Sequence, residues 1–300
     1  MAVCLAATGT RRDRLQAYFE LLRPANILTA IGDGLTGFAI SGLGNWPGLP
    51  WLLLSTSALY GGGVVLNDFF DRETDAAERP ERPLPSGRIP AAQAMWLGIG
   101  LLAAGIAAAF AVNRTAGGLA VAISIFVVIY DAWAKHRGFL GPLAMGICRG
   151  LNLMLGMAAV PGAIGGRWWL AGLSVLYIAG VTALSRGEVH GGKRPVAVFS
   201  MAAVGTVLAV LVILGVSAGN HTVWSLALVG VLAWRVVPPF YRAAANPESG
   251  VIRTAVRTGV LSLGILDAAL AVTFAGPVYG TLVVAVSLLA LGLARLFAVT

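Results

Sequence analysis

Four residues near one end of an apolar run have the types and spacing for metal and phosphate chemistry: Asn67, Asp68, Asp71 and Asp75. If the helix that carries them continues, steps of three and four residues stack the aspartates along one face. Like charges so placed repel and give an isolated helix nothing. A divalent cation reverses that sign, because Mg²⁺ takes oxygen ligands, commonly one or two carboxylates completed by phosphate oxygens and water. Arg72, Arg79, Arg82 and Arg88 follow within one short polar stretch. Guanidinium groups there can hold the phosphate oxygens a metal leaves free, or lie in a solvated loop.

The elements that must position these groups are membrane helices. The chain has 300 residues, 58% of them hydrophobic and 11% charged, with mean hydropathy +0.83. Soluble domains are about 45–50% apolar and about 25% charged. Apolar stretches of roughly twenty residues are the length needed to cross lipid as helices. They fall near 26–43, 51–69, 91–112, 115–132, 139–160, 168–185, 197–216, 221–241, 257–275 and 278–299. Gly276-Pro277 alone divides the last two and Asn113-Arg114 the third and fourth, so the expectation is nine or ten spans. Strict alternation of apolar and polar residues is absent, which argues against a membrane barrel.

With the N-terminus placed in the cytoplasm, all but three of the 21 lysines and arginines fall in the inner segments. The exceptions are Arg114 and Arg167 in outer loops and Arg149 within a span. That asymmetry sets the orientation. It also makes the net charge of +8 a topology signal and not a nucleic-acid signal. The long polar connections 70–90, 133–138, 186–196 and 242–256 then share the inner side with the acidic motif. Residues 1–25 read as a cytoplasmic or interfacial lead-in, not a signal peptide, because the apolar stretch precedes the basic residues. Residues 26–300 read as one membrane domain. Cys4 and Cys148 form no metal or disulfide framework.

Asn-Asp-x-x-Asp-x-x-x-Asp closing the second span, followed by Arg82-Pro-Leu-Pro-Ser-Gly-Arg88-Ile89, resembles the first aspartate-rich motif of the UbiA superfamily of intramembrane prenyltransferases. Leu22-Arg23-Pro24 at the opening of the first span is similar to the family's start, and Tyr130 with Lys135 is similar to the family's Tyr…Lys before its fifth helix. The resemblance implies an all-α, polytopic helical bundle with a central cavity opening to the cytoplasmic side. It implies transfer of an isoprenoid from a prenyl diphosphate to an aromatic or other lipophilic acceptor, with Mg²⁺ on the diphosphate.

By that resemblance Asp68, Asp71 and Asp75 are catalytic. Asn67, Asp68, Asp71, Asp75 and Glu188 form the metal set, and Arg72, Arg82, Arg88, Lys135, Lys193 and Arg194 bind diphosphate. Near the same boundary, Arg23 and Asn26 are candidates for acceptor binding. Loss of the leaving pyrophosphate needs stabilisation of developing negative charge, which metals and basic side chains supply, and a dry cavity protects the carbocation.

The second acidic motif of the family departs. At the end of the sixth span Ser185, Glu188 and Gly192 stand where carboxylates belong, and only Glu188 is acidic. This Ser-Arg-Gly-Glu variant resembles an EboC-like branch. It leaves a non-catalytic lipid-diphosphate binder or export component as the alternative. Asp33, Arg149, Asn152 and Asp267 lie inside spans, where an ionisable group faces a partner or a cavity. Arg149 is expected to pair with Asp33 or Asp267, or to line an acceptor pocket. The expected setting is a bacterial inner membrane with the site facing the cytoplasm. The acceptor, the prenyl chain length and the oligomeric state are not written in the sequence.

Overall fold

A computed structural model describes residues 11–296. The first part of the expected lead-in, with Cys4, lies outside the described residues. Every regular element among those described is helical. The α-helices are α1 (Arg11–Leu22), α2 (Pro24–Ile40), α3 (Leu49–Glu78), α4 (Ala91–Val112), α5 (Arg114–Ala132) and α6 (Leu140–Met157). They continue with α7 (Pro161–Arg167), α8 (Ala171–Ser185), α9 (Arg194–Val216), α10 (Thr222–Ala245), α11 (Ser249–Leu261) and α12 (Leu263–Leu296).

Eight segments among the described residues are long and apolar enough to cross a membrane. To these α2, at 17 residues, adds the first of the expected spans. The last segment, Ser249–Ala294, runs for 46 residues. It is divided inside α12 at Gly276, whose φ of 82° is a left-handed conformation that only glycine adopts without cost. Pro277 follows and restarts the helix, so the break falls where Gly276-Pro277 places it. The expected nine or ten spans are thus present as helices, and the chain is an integral membrane protein.

The helices pack as two halves that share α6 and α12. One core joins α6, α8, α9, α10, α11 and α12 around Tyr177, Leu211 and Phe240. The other joins α2, α3, α4, α5, α6 and α12 around Phe38, Leu59 and Leu155. Outward faces stay apolar, with Trp96, Ile213, Trp234 and Val278 exposed as lipid-facing residues would be. Trp168 and Trp169 at the head of α8 are exposed in the manner of interfacial anchors. At the polar end, α1 lays Ala17 and Leu21 against Val65, Ile89 and Ala94, so the lead-in packs on α3 and α4.

Lipid offers no hydrophobic drive between helices, so close approach depends on small residues. At the α2–α6 crossing, a Cβ on Gly37 would collide with the Leu153 carbonyl, and one on Gly156 with the Gly34 carbonyl. Gly156→Ala should therefore cost about 1–3 kcal/mol as backbone is forced apart. Gly100→Ala, with open space around its Cβ, should leave the unfolding midpoint in detergent unchanged or slightly raised.

Candidate active site

Helix α3 continues without interruption past its apolar portion to Glu78, which carries all three aspartates in helical register. Asp68 and Asp75 are each 4% exposed. Repulsion on that face is relieved by cations from three other segments. Arg23, between α1 and α2, meets Asp68 at 2.5 Å. Arg82, in the loop after α3, meets Asp75 at 2.7 Å and Asp68 at 3.8 Å. Lys135, between α5 and α6, meets Asp71 at 2.6 Å. Pairs this buried matter chiefly through the cost of stranding one partner, about 3–5 kcal/mol. Arg23 also sits at φ 48°, ψ 65°. That left-handed backbone costs a non-glycine residue about 1–3 kcal/mol, a conformation held between Pro24 and the ion pair with Asp68.

Behind this cluster lies a cavity of about 290 Å³ between α2, α3, α5 and α6. Arg23, Asn26, Asn67, Tyr130 and Asp131 line its polar end, and Thr56, Arg149 and Asn152 line its far end. Thr56 to Asn67 on α3 corresponds to about 16 Å of helix. The site therefore joins a charged mouth to a passage running into the bundle.

The far end is a closed polar network. Arg149 pairs with Asp33 at 2.7 Å and donates to the Thr29 carbonyl at 2.8 Å. Asn152 donates to Asp33 at 3.0 Å and to the Ala30 carbonyl at 2.9 Å, and accepts from Thr56 at 2.9 Å. Of the two partners open to Arg149 in the sequence, the structure selects Asp33. Asp267 stands by, its carboxylate oxygens buried without a hydrogen-bond partner. Arg149 is thus both a structural partner and part of the cavity wall.

The remaining sequence candidates lie apart from the cluster. Arg72 stacks over the Phe69 ring at 4.9 Å and pairs with exposed Glu73. Arg88 pairs with Glu20 of α1 at 2.7 Å and tethers the loop through the Glu81 carbonyl. Lys193 and Arg194 are exposed. Lys193 lines a separate, wider groove of about 580 Å³ with Phe139, Pro142, Arg186 and Phe199. That groove is larger, and no carboxylate is among its lining residues.

The degenerate second motif is pinned elsewhere. The Ser185 hydroxyl donates to the Thr182 carbonyl, and Gly192 N–H to the Pro247 carbonyl. Arg253 donates to the Glu188 carbonyl at 3.2 Å. Partial burial raises the Glu188 carboxyl above its ordinary value, and the Arg253 charge opposes that shift.

Asp131 was not among the sequence candidates. It is 3% exposed in the last turn of α5, and Asn67 donates to its Oδ1 at 2.8 Å. Oδ2 is buried and has no partner. The signal available in the sequence was a carboxylate closing an otherwise uncharged span, four residues before Lys135.

The model of the UbiA prenyltransferase family matches residues 27–247, and the chain belongs to that family. It is 38% identical over 148 residues to the digeranylgeranylglyceryl phosphate synthase of Methanothrix thermoacetophila, covering 48% of this chain and 55% of that one. The chain spans about half the length of the curated relatives it matches. These relatives are archaeal, which lends the expected bacterial membrane no support. In three dimensions it resembles a solved digeranylgeranylglyceryl phosphate synthase with TM-score 0.66 at 22% identity, over 86% of this chain and 98% of the other. A UbiA homologue from Archaeoglobus fulgidus bound to DMAPP and Mg²⁺ aligns with TM-score 0.53 at 18% identity, over 89% and 99% of the two chains. At these identities the structural likeness concerns the fold.

Arg149→Met would leave Asp33 charged and unpaired inside the bundle. It should cost about 3–5 kcal/mol of stability, read as a lowered unfolding midpoint. Adding Asp33→Asn should recover most of that loss, since Asn152 can still donate to the new amide oxygen.

Proposed function

We propose that this protein transfers an isoprenoid from a prenyl diphosphate to a lipophilic acceptor inside the membrane, with Mg²⁺ bound at the α3 motif and the site facing the cytoplasm. The observation that carries this reading is the placement of three cation-paired aspartates next to Asn67 and Arg23, which line the polar end of a passage entering the bundle. Family membership and the diphosphate named with the Archaeoglobus homologue support it.

Among the described residues, no three acidic, histidine or cysteine side chains converge on one point. Mg²⁺ needs only one or two carboxylates when phosphate and water supply the other oxygens, so the donor set fits an ion that arrives with diphosphate. Asp71 and Asp75, helped by Asp68 and Asn67, would hold it. When bound, the metal supplies charge that stabilises the leaving diphosphate.

Arg23, Arg82 and Lys135 then exchange their carboxylate partners for phosphate oxygens, the charge-assisted bonds for which guanidinium and ammonium groups are suited. The bond from the allylic carbon to diphosphate oxygen breaks and its electron pair leaves with the diphosphate. The acceptor's electron pair closes on that carbon, and the acceptor gives up a proton. Asn26 and the apolar walls at Leu59, Val64, Ile123 and Val127 keep acceptor and chain in place and water out.

A second reading, binding without turnover, is favoured by one observation: the positions of the second acidic motif are tied to Thr182 and Pro247 and bring no carboxylate to the cavity lining. Membranes incubated with labelled prenyl diphosphate and Mg²⁺ separate the two. Pyrophosphate release that disappears in Asp71→Asn with Asp75→Asn is expected for the enzyme; tight binding without release fits the binder; release unaffected by the substitutions defeats both. In the same assay, Glu188→Gln should leave the Mg²⁺ dependence unchanged if Glu188 stands outside the metal set.

A further inference from the structure

The groove of about 580 Å³ where α6 begins, α8 ends and α9 begins takes no part in the reaction proposed above. Most of its wall is apolar, with Pro142, Ala179, Ala183 and Leu184. Phe139 and Phe199 also line it and are 67% and 41% exposed. Among the described residues, the charged side chains in its wall are Arg186 and Lys193, both cationic. Glu188, in the loop between those two, is not part of the wall.

The groove lies at the end of the bundle that carries the aspartates. Arg186 Nη2 donates to the Lys135 carbonyl at 2.8 Å and to the Arg137 carbonyl at 2.9 Å, and Lys135 pairs with Asp71. Both bonds come from one nitrogen, so Nε and Nη1 keep their donors for another acceptor. Lys193 is exposed, and among the described residues its ammonium group has no ion pair. Two helices, α6 and α9, start here, and the first turn of a helix adds positive potential.

These features match a ligand with an anionic head and an apolar body. A soluble anion would satisfy the two cations and leave Phe139 and Phe199 uncovered. A neutral lipid would cover the apolar wall and leave the cations unmatched. In a membrane protein the occupant with both properties is an anionic phospholipid, because basic pockets between spanning helices near the membrane surface hold such headgroups.

We propose that this groove binds one anionic phospholipid, its phosphate held by Arg186 and Lys193 and one of its chains laid against Phe139, Leu184 and Phe199. The site is separate from the cavity between α2, α3, α5 and α6, and it does not rest on the prenyl-transfer reading.

The test is native mass spectrometry of the purified protein in detergent, with dioleoylphosphatidylglycerol and dioleoylphosphatidylcholine as probes of equal chain and different charge. The wild type should bind its first phosphatidylglycerol about tenfold or more tightly than phosphatidylcholine, the scale of two cations near a membrane surface. Lys193→Gln should weaken phosphatidylglycerol about fivefold and leave phosphatidylcholine within about twofold. Ala183→Phe fills the groove, keeps both charges and should weaken phosphatidylglycerol as well; Lys193, exposed in its loop, decides alone if that variant fails to fold. Arg242→Gln removes an exposed cation of α10 outside the groove and should leave binding within about twofold of wild type. Glycerol 3-phosphate, a headgroup without chains, should not displace phosphatidylglycerol at the same concentration.

A wild-type ratio near one overturns the proposal, as does wild-type affinity for phosphatidylglycerol in Lys193→Gln or in a folded Ala183→Phe. An equal loss in Arg242→Gln assigns the preference to general surface charge, and displacement by glycerol phosphate assigns the groove to soluble anions; either result also overturns it. No prenyl diphosphate enters the experiment, so its failure leaves the prenyl-transfer reading standing.

Discussion

Three carboxylates on one face of one helix, two of them buried, cannot coexist without positive charge brought from elsewhere. Everything at the polar end of this bundle answers that constraint. Arg23 is delivered by the junction of α1 and α2, Arg82 by the loop after α3, and Lys135 by the short connection before α6. Each ion pair therefore ties α3 to a different part of the chain. The arrangement is held together by the same charges that, under the proposed function, would receive a polyanion, since a metal-bound diphosphate could take over both the carboxylates and the cations.

The same economy governs the membrane interior. Arg149, Asp33, Asn152, Thr56 and two carbonyls of α2 satisfy one another across three helices. An ionisable group within a span is costly unless it meets a partner or a cavity. This network fixes α2 against α6 at the place where Gly37 and Gly156 already let the two backbones meet. Close packing and polar satisfaction thus act at one crossing, and that crossing forms the far wall of the cavity.

Against this background the altered second motif acquires a physical meaning. The loop after α8 is occupied with holding itself to Pro247, Arg253 and Ile252. Arg186 is spent on the carbonyls of Lys135 and Arg137, which steadies the connection that presents Lys135 to Asp71. This side of the site contributes support and positive charge, while the acidic groups collect on α3 and the end of α5.

Much of this was legible in the residues themselves. Hydropathy fixes the helical membrane class because lipid leaves the backbone no other partner, and Gly276-Pro277 marks a break because of what those residues do to φ and to hydrogen bonding. The spacing of Asp68, Asp71 and Asp75 foretells a common face because helical geometry is local. Which cation meets which aspartate is not local. Arg72 and Arg88 have the same chemistry and lie as near in sequence as Arg82, yet they turn to Phe69 and Glu20. Asp131 became part of the site only when α5 was laid beside α3, so that Asn67 could reach it across 64 positions of chain. Side-chain type and local period are properties of the sequence; convergence of charges from separate helices is decided by packing, and only the tertiary structure contains it.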